Sequence, residues 1–475
     1  MKKIWIVQEI SLLAFICIIC FNFRQIMLYT FDYETWIALG NHILKDISNI
    51  DKELLNWTYD AGLADLWVNH EWLSCVIMAL TDRISKTAFG YITYAVFSII
   101  VIVNYLISIK RGRCGNIIRY IPVTIALMLV NGTGFGRPAA LSVIVTALYL
   151  MALTNWKCMN DKLRKGLLVS LLVLWGGIHG GSYPLSLVIL ICFILTYDCI
   201  KYAKEIIVSW LLATSSMLCV PIMRKSITYC LFYHGNTEYI QEWESAIDFH
   251  NIDIQFIVFT LITVIGILYQ TKLHKSTKGK IIDNIGIYIL LAGTLIMGIV
   301  SVRYSQYFGV ISLICTPYLA EYDEIKGREN ILVSVVTIAI LVLCTQVPNK
   351  NIKDDDEFIK AAVGVELTQE DKEIILSNKD LRVFNSMIFD SFLVKNGVKT
   401  MIDGRIDNLH NDFWIETNNY IENLNIIRDN NIELLILLED EDITDKLIEG
   451  LGDIEILSNH SSNDNWITIV KVNYQ

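Results

Sequence analysis

The chain has 475 residues, of which 53% are hydrophobic and 19% charged, and its mean hydropathy is +0.45. Long apolar blocks separated by short basic loops are typical of a membrane protein. Residues 347–475 contain 12 Lys and Arg against 26 Asp and Glu. This acidic balance argues against a nucleic-acid partner and against docking of the tail on anionic lipid headgroups, and it indicates a solvated domain.

A bilayer core requires roughly 20 apolar residues per helix, and about eleven segments meet that description. The first follows Met1-Lys2-Lys3 without a small-residue cleavage site, which predicts a signal anchor. The sequence therefore predicts an α-helical polytopic membrane protein with a small C-terminal α/β domain. The predicted spans lie near 4–23, 88–109, 118–133, 138–156, 166–181, 183–200, 205–222, 253–270, 283–301, 305–320 and 329–347.

Orientation follows from the Lys and Arg content of the short loops, because cationic loops resist translocation. The loops around 110–119, 157–165, 201–204 and 272–280 are rich in these residues. This pattern predicts a cytoplasmic N-terminus and an extracytoplasmic C-terminus. The predicted domains are a multi-pass domain over 1–347, with an extracytoplasmic loop at 25–87, and a soluble α/β domain over 348–475.

The loop at 25–87 contains a predicted amphipathic helix, because Trp36, Leu39, Ile43 and Leu44 recur at helical spacing. Asp32 falls at its N-terminal end, where a carboxylate commonly caps a helix. The competing interpretation is a catalytic base that deprotonates an acceptor hydroxyl, or a ligand for a divalent cation. Glu34 is the second candidate for the base.

A short apolar stretch from Trp72 to Leu80 follows in the same loop, and it is too short to span a bilayer. His70 and Glu71 precede it. Because adjacent residues are turned about 100° apart on a helix, this pair does not predict a zinc motif. The eleven cysteines all precede residue 347, and they lack metal-ligand spacing, so they read as small buried hydrophobes.

Ionisable residues interrupt the apolar pattern at the predicted outer ends of several helices. Such groups are costly there unless they line a cavity or pair with one another. Taken singly, an Arg at a helix end usually snorkels and a lone His is usually structural. Their convergence on one side predicts a substrate site formed by Asp32, Glu34, His70, Glu71, Arg137, His179, Glu242 and Arg303.

The tail changes to a soluble α/β pattern from about residue 355. Short strands are predicted at Leu381 to Phe384, Val398 to Ile402, Ile432 to Leu438 and Trp466 to Val472. Asp403 and Arg405 follow a predicted strand end, where α/β sheets commonly place binding groups. An internal ion pair in a turn is the alternative. The tail is predicted to bind the acceptor or to pack, and not to form a second catalytic centre.

Several of these motifs occur in an order and spacing that resemble a family of bacterial polytopic membrane proteins related to the GT-C class of glycosyltransferases. The resemblance covers nearly the whole chain. Its residues are Asp32-Tyr33-Glu34-Thr35-Trp36 with Gly40, Glu71-Trp72-Leu73, Arg137-Pro138, Trp175 to His179-Gly180, Glu242-Trp243, Arg303 and Asp403-Gly404-Arg405. This chain departs from the family pattern at Gly177, where the family carries Asn.

The resemblance implies a plasma-membrane enzyme that uses a polyprenyl-phosphate sugar and an acceptor that is an envelope glycan, lipid or protein. It implies an acidic catalytic base in the first outer loop, and Asp32 matches that position. Arg137 and Arg303 are suited to hold the donor phosphate. The alternatives are a transporter or flippase of lipid-linked glycans, which would carry polar groups near the bilayer midplane, and a non-catalytic envelope scaffold.

Overall fold

The computed structural model describes most of the chain in separate stretches: 32–65, 67–110, 136–232, 283–319, 355–403, 405 and 409–474. Four predicted spans, near 4–23, 118–133, 253–270 and 329–347, lie outside the described residues, as does Glu242.

The described residues form two compact units. The helical unit contains residues 89–110, 136–231 and 283–319, and the mixed unit contains the described residues within 32–88 and 355–474 together with Phe232. Residues 32–88, which the sequence analysis assigned to the first domain as a loop, thus belong to the same compact unit as the C-terminal residues.

The regular elements described in the helical unit are α-helices and short 3-10 helices. Its α-helices are Ala88–Lys110, which begins at the boundary, Ala139–Thr154, Asp161–Ile178, Pro184–Ile194, Tyr197–Ile200, Ala203–Leu218, Pro221–Phe232, Ile285–Val300 and Ser305–Leu319. Short 3-10 helices occupy Trp156–Cys158, Gly180–Ser182 and Val302–Tyr304.

The prediction of about eleven membrane-spanning helices is wrong for the part of the chain that the structure describes. There, one helix is long and apolar enough to cross a membrane, over Ala88–Ser108. The pair Ala203–Leu218 and Pro221–Tyr229 would be a second span only if it is counted as one element, and it is bent by 107°. The polytopic fold class is therefore corrected to a helical unit with one or two such helices and a mixed unit with a small sheet.

The reason for this difference is that hydropathy measures composition and not helix length. The predicted span 183–200 ends as a helix at Ile194, and a separate four-residue helix begins at Tyr197. The predicted span 205–222 is divided where Pro221 begins a new helix. Helices of 16 residues, such as Ile285–Val300, are shorter than the roughly 20 residues that a bilayer core requires.

Close helix contacts explain part of this packing. A Cβ atom at Gly286 would lie 1.7 Å from the backbone oxygen of Cys192, so only glycine permits the Ile285–Val300 helix to approach the Pro184–Ile194 helix there. In the mixed unit, a Cβ atom at Gly40 would lie 2.0 Å from the backbone oxygen of Cys75. Gly40 is thus the contact point between the helices Tyr33–Lys45 and Trp72–Asp82.

The mixed unit contains short helices around one sheet. Its α-helices are Tyr33–Lys45, Trp72–Asp82, Asp355–Val363, Gln369–Ser377, Asp390–Lys395, Asn411–Asn418, Asn425–Asp429 and Thr444–Leu451, and its 3-10 helices are Ile47–Asp51 and Met387–Phe389. The predicted amphipathic helix coincides with Tyr33–Lys45. Its residues Trp36, Leu39 and Ile43 are buried, whereas Leu44 is exposed.

The four-stranded sheet has the order β1-β2-β4-β3. The strands are β1 (Val383–Asn385), β2 (Leu434–Glu439), β3 (Ile454–Ser462) and β4 (Asn465–Val472). Strands β1 and β2 are parallel, and the other two pairs are antiparallel. Three predicted strands overlap β1, β2 and β4, whereas the predicted strand at 398–402 contributes only an isolated bridge at Thr400.

The segment 53–64 is bonded to the C-terminal part of the mixed unit. The backbone N–H of Thr400 donates to the oxygen of Leu55 at 3.0 Å, and the N–H of Trp57 donates to the oxygen of Thr400 at 3.2 Å. The indole Nε1 of Trp57 donates to the oxygen of Val383 at 2.8 Å, next to β1. These bonds explain why two stretches so distant in sequence form one unit.

Candidate functional site

The carboxylate of Asp32 lies at the N-terminus of the Tyr33–Lys45 helix and is buried. Within the stretch 32–65, it accepts no capping hydrogen bond from the helix that it precedes. Capping would have been the ordinary structural explanation for an Asp at this position. The backbone N–H groups of a first helical turn nevertheless favour an anion there.

Glu34, the second predicted carboxylate, is also buried but forms an ion pair. Its Oε1 atom is 2.8 Å from Nζ of Lys86. The hydroxyl of the neighbouring Tyr33 donates to the backbone oxygen of Lys86. Together these contacts hold the start of the helix against the segment that follows Asp82, which is a structural role for Glu34.

His70 and Glu71 precede the Trp72–Asp82 helix, which packs on the helix that begins beside Asp32. Glu71 is buried, and its backbone N–H donates to Oδ1 of Asn69 at 3.2 Å. The imidazole of His70 is half-buried, with its ring centroid 5.4 Å from that of Trp67. The helix that follows Asp32 and the helix that follows Glu71 therefore pack as one pair in the mixed unit.

Two indole rings line this helix pair, and one of them, Trp67, was not among the predicted site residues. The ring centroids of Trp36 and Trp67 are 5.8 Å apart. Both side chains are buried, and neither indole Nε1 has a hydrogen-bond acceptor among the described residues. An indole nitrogen is only a donor, so a ligand that offers acceptor oxygens would satisfy both groups.

Asp403 and Arg405 form a buried ion-pair network with Glu53. The guanidinium of Arg405 donates from Nη1 and Nη2 to the two carboxylate oxygens of Glu53, both at 3.0 Å. It donates from Nε and Nη2 to Asp403, with the shortest distance 2.6 Å, and also to Oδ1 of Asn56 at 3.2 Å. The guanidinium stacks on Trp67, 5.1 Å from the ring centroid.

Burial and charge act in opposite directions on the pKa values of Glu53 and Arg405. Burial alone would raise the pKa of Glu53, but the charge of Arg405 and the hydrogen bonds to its carboxylate hold that pKa below the usual range. Burial opposes the charge on Arg405, yet Asp403 and Glu53 raise its pKa. These contacts favour the internal ion pair, one of the two interpretations of the Asp-Gly-Arg segment, because the guanidinium already binds protein carboxylates.

In the helical unit, His179 follows the last residue of the Asp161–Ile178 helix. Its Nδ1 accepts a hydrogen bond from the backbone N–H of Ser182 at 2.9 Å. When the ring is neutral, this bond leaves the proton on Nε2, so the ring presents a donor. The hydroxyl of Ser182 accepts from Nε1 of Trp175 at 2.7 Å. The helix end is thus ordered by a connected set of polar bonds.

Arg303 lies in the same unit, in the 3-10 helix Val302–Tyr304, and is half-buried. Its guanidinium lies near the buried phenol of Tyr307, four residues further along the chain. The hydroxyl of Tyr307 is 3.1 Å from the hydroxyl of Ser142 and lies near that of Ser182. The helical unit thereby gathers the segments that carry His179 and Arg303 around one tyrosine hydroxyl.

Arg137 and Gln306 lie on segments that carry members of this cluster. Arg137 is half-buried just before the Ala139–Thr154 helix, the helix that carries Ser142. Gln306 is buried beside Arg303 and donates from Nε2 to the backbone oxygen of Arg303 at 3.1 Å. Its Oε1 has no hydrogen-bond partner within the described ranges. Gln306 and Tyr307 were not among the predicted site residues, although both follow Arg303 by about one helical turn.

No protein-family model matches the chain, and no curated protein matches it.

Proposed function

We propose that the chain is a glycosyltransferase that uses a sugar carried on a polyprenyl phosphate, with Asp32 as the base that takes the proton of the acceptor hydroxyl. The observation that carries the proposal is the state of Asp32. It is a buried carboxylate at a helix start whose capping role is unused. Glu34 forms an ion pair with Lys86, and Asp32 occupies the position at which the resembling enzymes carry their acidic base.

The surroundings of Asp32 in the mixed unit suit a sugar. A sugar offers both hydroxyl hydrogens for carboxylates and oxygens for the unpaired indole donors of Trp36 and Trp67. In an inverting transfer, the acceptor oxygen forms the new glycosidic bond as its proton passes to the carboxylate. The bond from the sugar to the phosphate breaks, and the lipid phosphate leaves with its own negative charge, so one base suffices.

In the helical unit, we assign the donor phosphate to the cluster around Tyr307. Arg303 provides a cation, and the hydroxyls of Ser142, Ser182 and Tyr307 provide further hydrogen-bonding groups. The unpartnered Oε1 of Gln306 would accept a hydrogen bond from a sugar hydroxyl. Each assignment stands on contacts within its own unit, and each has its own test.

The base assignment is tested with Asp32→Asn in the purified full-length chain. Asn keeps the size of the side chain and caps helices about as well as Asp, so the substitution removes only the ability to take a proton. Release of polyprenyl phosphate from a panel of radiolabelled polyprenyl-phosphate hexoses should fall by roughly 10²–10⁴-fold.

The matched control is Asp46→Asn, at the other end of the same helix, where the exposed carboxylate accepts a hydrogen bond from the N–H of Ser48. This variant should turn over the donor at the wild-type rate. If Asp32→Asn turns over the donor at the wild-type rate, Asp32 is not the base. If the wild-type chain releases no polyprenyl phosphate from any donor, the glycosyltransferase proposal is rejected.

The phosphate assignment is tested with Arg303→Ala, which removes a charge-assisted hydrogen bond of about 1.5–3 kcal/mol. We expect binding of the polyprenyl-phosphate sugar to weaken by roughly 10-fold to 150-fold. The matched control is Arg224→Ala, which removes an exposed arginine of the same unit. Equal donor affinity in both variants would contradict the assignment.

A further inference from the structure

Arg164 connects the ends of several chain segments of the helical unit, and we call the region around its guanidinium the pole. It lies in the first turn of the Asp161–Ile178 helix and is buried. Its Nη2 is 2.8 Å from Oδ1 of Asp161 and 2.5 Å from Oε2 of Glu205. The guanidinium also lies over the rings of Trp156 and Tyr202, at 5.4 Å and 4.8 Å from their centroids. The segment ends at 156–164 and 202–205 are thus fixed side by side.

Exposed lysines surround this pole, and we call them the lysine rim: Lys157, Lys162, Lys201 and Lys204. They come from the segments that Arg164 holds together. The acidic groups closest to the centre, Asp161 and Glu205, are already bonded to Arg164. Asp161 also pairs with Nζ of Lys165 at 3.0 Å, so the two carboxylates face two cations within the pole. The lysine rim adds cationic charge directed to solvent.

Exposed apolar stripes extend from the rim along the helices. On the Ala203–Leu218 helix, Lys204, Val208, Leu211 and Leu212 follow at spacings of four, seven and eight, which places them on one face. Val208, Leu211 and Leu212 are each more than half exposed, at 53%, 51% and 59%. The neighbouring Pro184–Ile194 helix exposes further large apolar residues, including Val188 and Ile191.

We propose that the lysine rim and these apolar stripes form one docking surface for a lipid bilayer that carries anionic phospholipid headgroups. Large exposed apolar patches mark protein or membrane contacts. The cations at the ends of the stripes select the bilayer, because lysine side chains extend to headgroup phosphates while apolar faces enter the acyl boundary. A second copy of this chain would have to bury four lysine charges at the edge of the contact.

This surface is separate from the cluster around Tyr307 in the same unit. His179 and Arg164 are at opposite ends of the Asp161–Ile178 helix, about 20 Å apart at 1.5 Å per residue. The inference does not depend on the proposed transferase activity. It assigns a lipid contact to a part of the molecule that the proposed reaction does not use.

The test is photolabelling of the full-length chain in phosphatidylcholine vesicles that contain a small, equal fraction of either photoactivatable phosphatidylglycerol or photoactivatable phosphatidylcholine. Labelled sites are read by peptide mass spectrometry in segments 155–165 and 197–206. Each lysine near an anionic surface contributes about 1 kcal/mol, which is roughly fivefold in local lipid concentration. We expect phosphatidylglycerol labelling to exceed phosphatidylcholine labelling by at least about fivefold.

Two variants with the same change in net charge isolate the rim. The rim variant carries Lys157→Gln, Lys162→Gln, Lys201→Gln and Lys204→Gln, and its ratio of the two labelling yields should fall to about one. The control variant carries Lys52→Gln, Lys360→Gln, Lys379→Gln and Lys446→Gln, which are exposed positions of the mixed unit. Its ratio should stay at the wild-type value. Raising the ionic strength should lower the wild-type ratio without any substitution.

The apolar stripe is tested by Val208→Asn with Leu212→Asn, which should reduce labelling by both lipids and leave their ratio unchanged. A wild-type ratio near one, no labelling of these segments, or an equal loss in the control variant would overturn the proposal. So would crosslinks from this face to a second copy of the chain. Competition by inorganic phosphate beyond that of chloride at matched ionic strength would assign the rim to free phosphate and overturn the bilayer assignment.

Discussion

The two buried arginines, Arg405 in the mixed unit and Arg164 in the helical unit, make the same kinds of contact but differ in how exposed their partner carboxylates are. Each stacks on an aromatic ring and binds two carboxylates. The carboxylates that bind Arg405 are as buried as the guanidinium, with side-chain exposures of 1% for Glu53 and 0% for Asp403. Those that bind Arg164 are open to water, at 55% for Asp161 and 31% for Glu205.

This difference determines what each arginine contributes. Removing one partner from a buried ion network leaves an uncompensated charge in a region of low dielectric, which is strongly destabilising. Exposed partners are resolvated when their arginine is removed, and pairs of that kind contribute little to stability. Arg405 is therefore a latch that fastens segment 53–64 to the C-terminal part of its unit, whereas Arg164 organises a surface.

The largest effect is expected for Arg405→Met, which leaves Glu53 and Asp403 buried without their cation. We expect a local destabilisation of about 3–5 kcal/mol. Native-state hydrogen exchange measures it at the backbone amides of Trp57 and Thr400, which bond across the latch. Their exchange should accelerate by roughly 10²–10³-fold or more.

A neutral version of the network provides the control for this prediction. The triple variant Glu53→Gln, Asp403→Asn and Arg405→Met removes every charge at once, and replacing a whole buried network is often close to neutral. Its exchange rates should lie nearer to wild type than those of Arg405→Met alone. Rates in Arg405→Met within about twofold of wild type would contradict the latch.

A second prediction uses acid to weaken the same latch. The folded-state pKa of Glu53 is held below its usual range by Arg405 despite burial, so the folded state binds a proton less readily than the unfolded chain. The stabilisation is present above the unfolded pKa of about 4.3. It is lost as the pH falls from there through the lower, folded pKa. Exchange at Trp57 and Thr400, corrected for intrinsic rates, should accelerate over this range.

Glu439, in the same unit, provides a control because its pKa is shifted in the opposite direction to that of Glu53. Burial, and then the charges of Asp440 and Glu441, raise the pKa of Glu439, so its protonation occurs more readily in the folded state. Acid should therefore not accelerate exchange at the neighbouring Leu438 amide, which donates to the hydroxyl of Ser386. If acid accelerates all three amides equally, global unfolding, and not the latch, responds to acid.

Local patterns predicted the elements whose residues carry the signal themselves. The Tyr33–Lys45 helix was predicted from apolar spacing, and β2 and β4 were predicted from runs of β-branched and large apolar residues. Strand β3 was missed because its sequence is largely polar, as befits an edge strand with an exposed face.

Contacts between residues that are distant in the sequence could not be predicted. Glu53 and Arg405 are separated by 352 positions, and no motif marks Glu53, although its carboxylate decides the role of Arg405. Hydropathy correctly identified apolar segments but could not show where a helix ends, for example at Ile194. For the site, Asp32 was singled out by position, whereas Trp67, Tyr307 and Gln306 required the packing of distant segments.

The smallest effect is expected for Arg164→Met, and it is the one that most sharply separates the two arginines. Methionine keeps the apolar contact with Trp156 and Tyr202, and the freed carboxylates of Asp161 and Glu205 are solvated. Exchange at the amide of Ile206, which bonds to the backbone oxygen of Tyr202, should accelerate by less than about tenfold. Acceleration as large as that of Arg405→Met would show that exposure of the partner carboxylates does not govern the cost of removing the arginine.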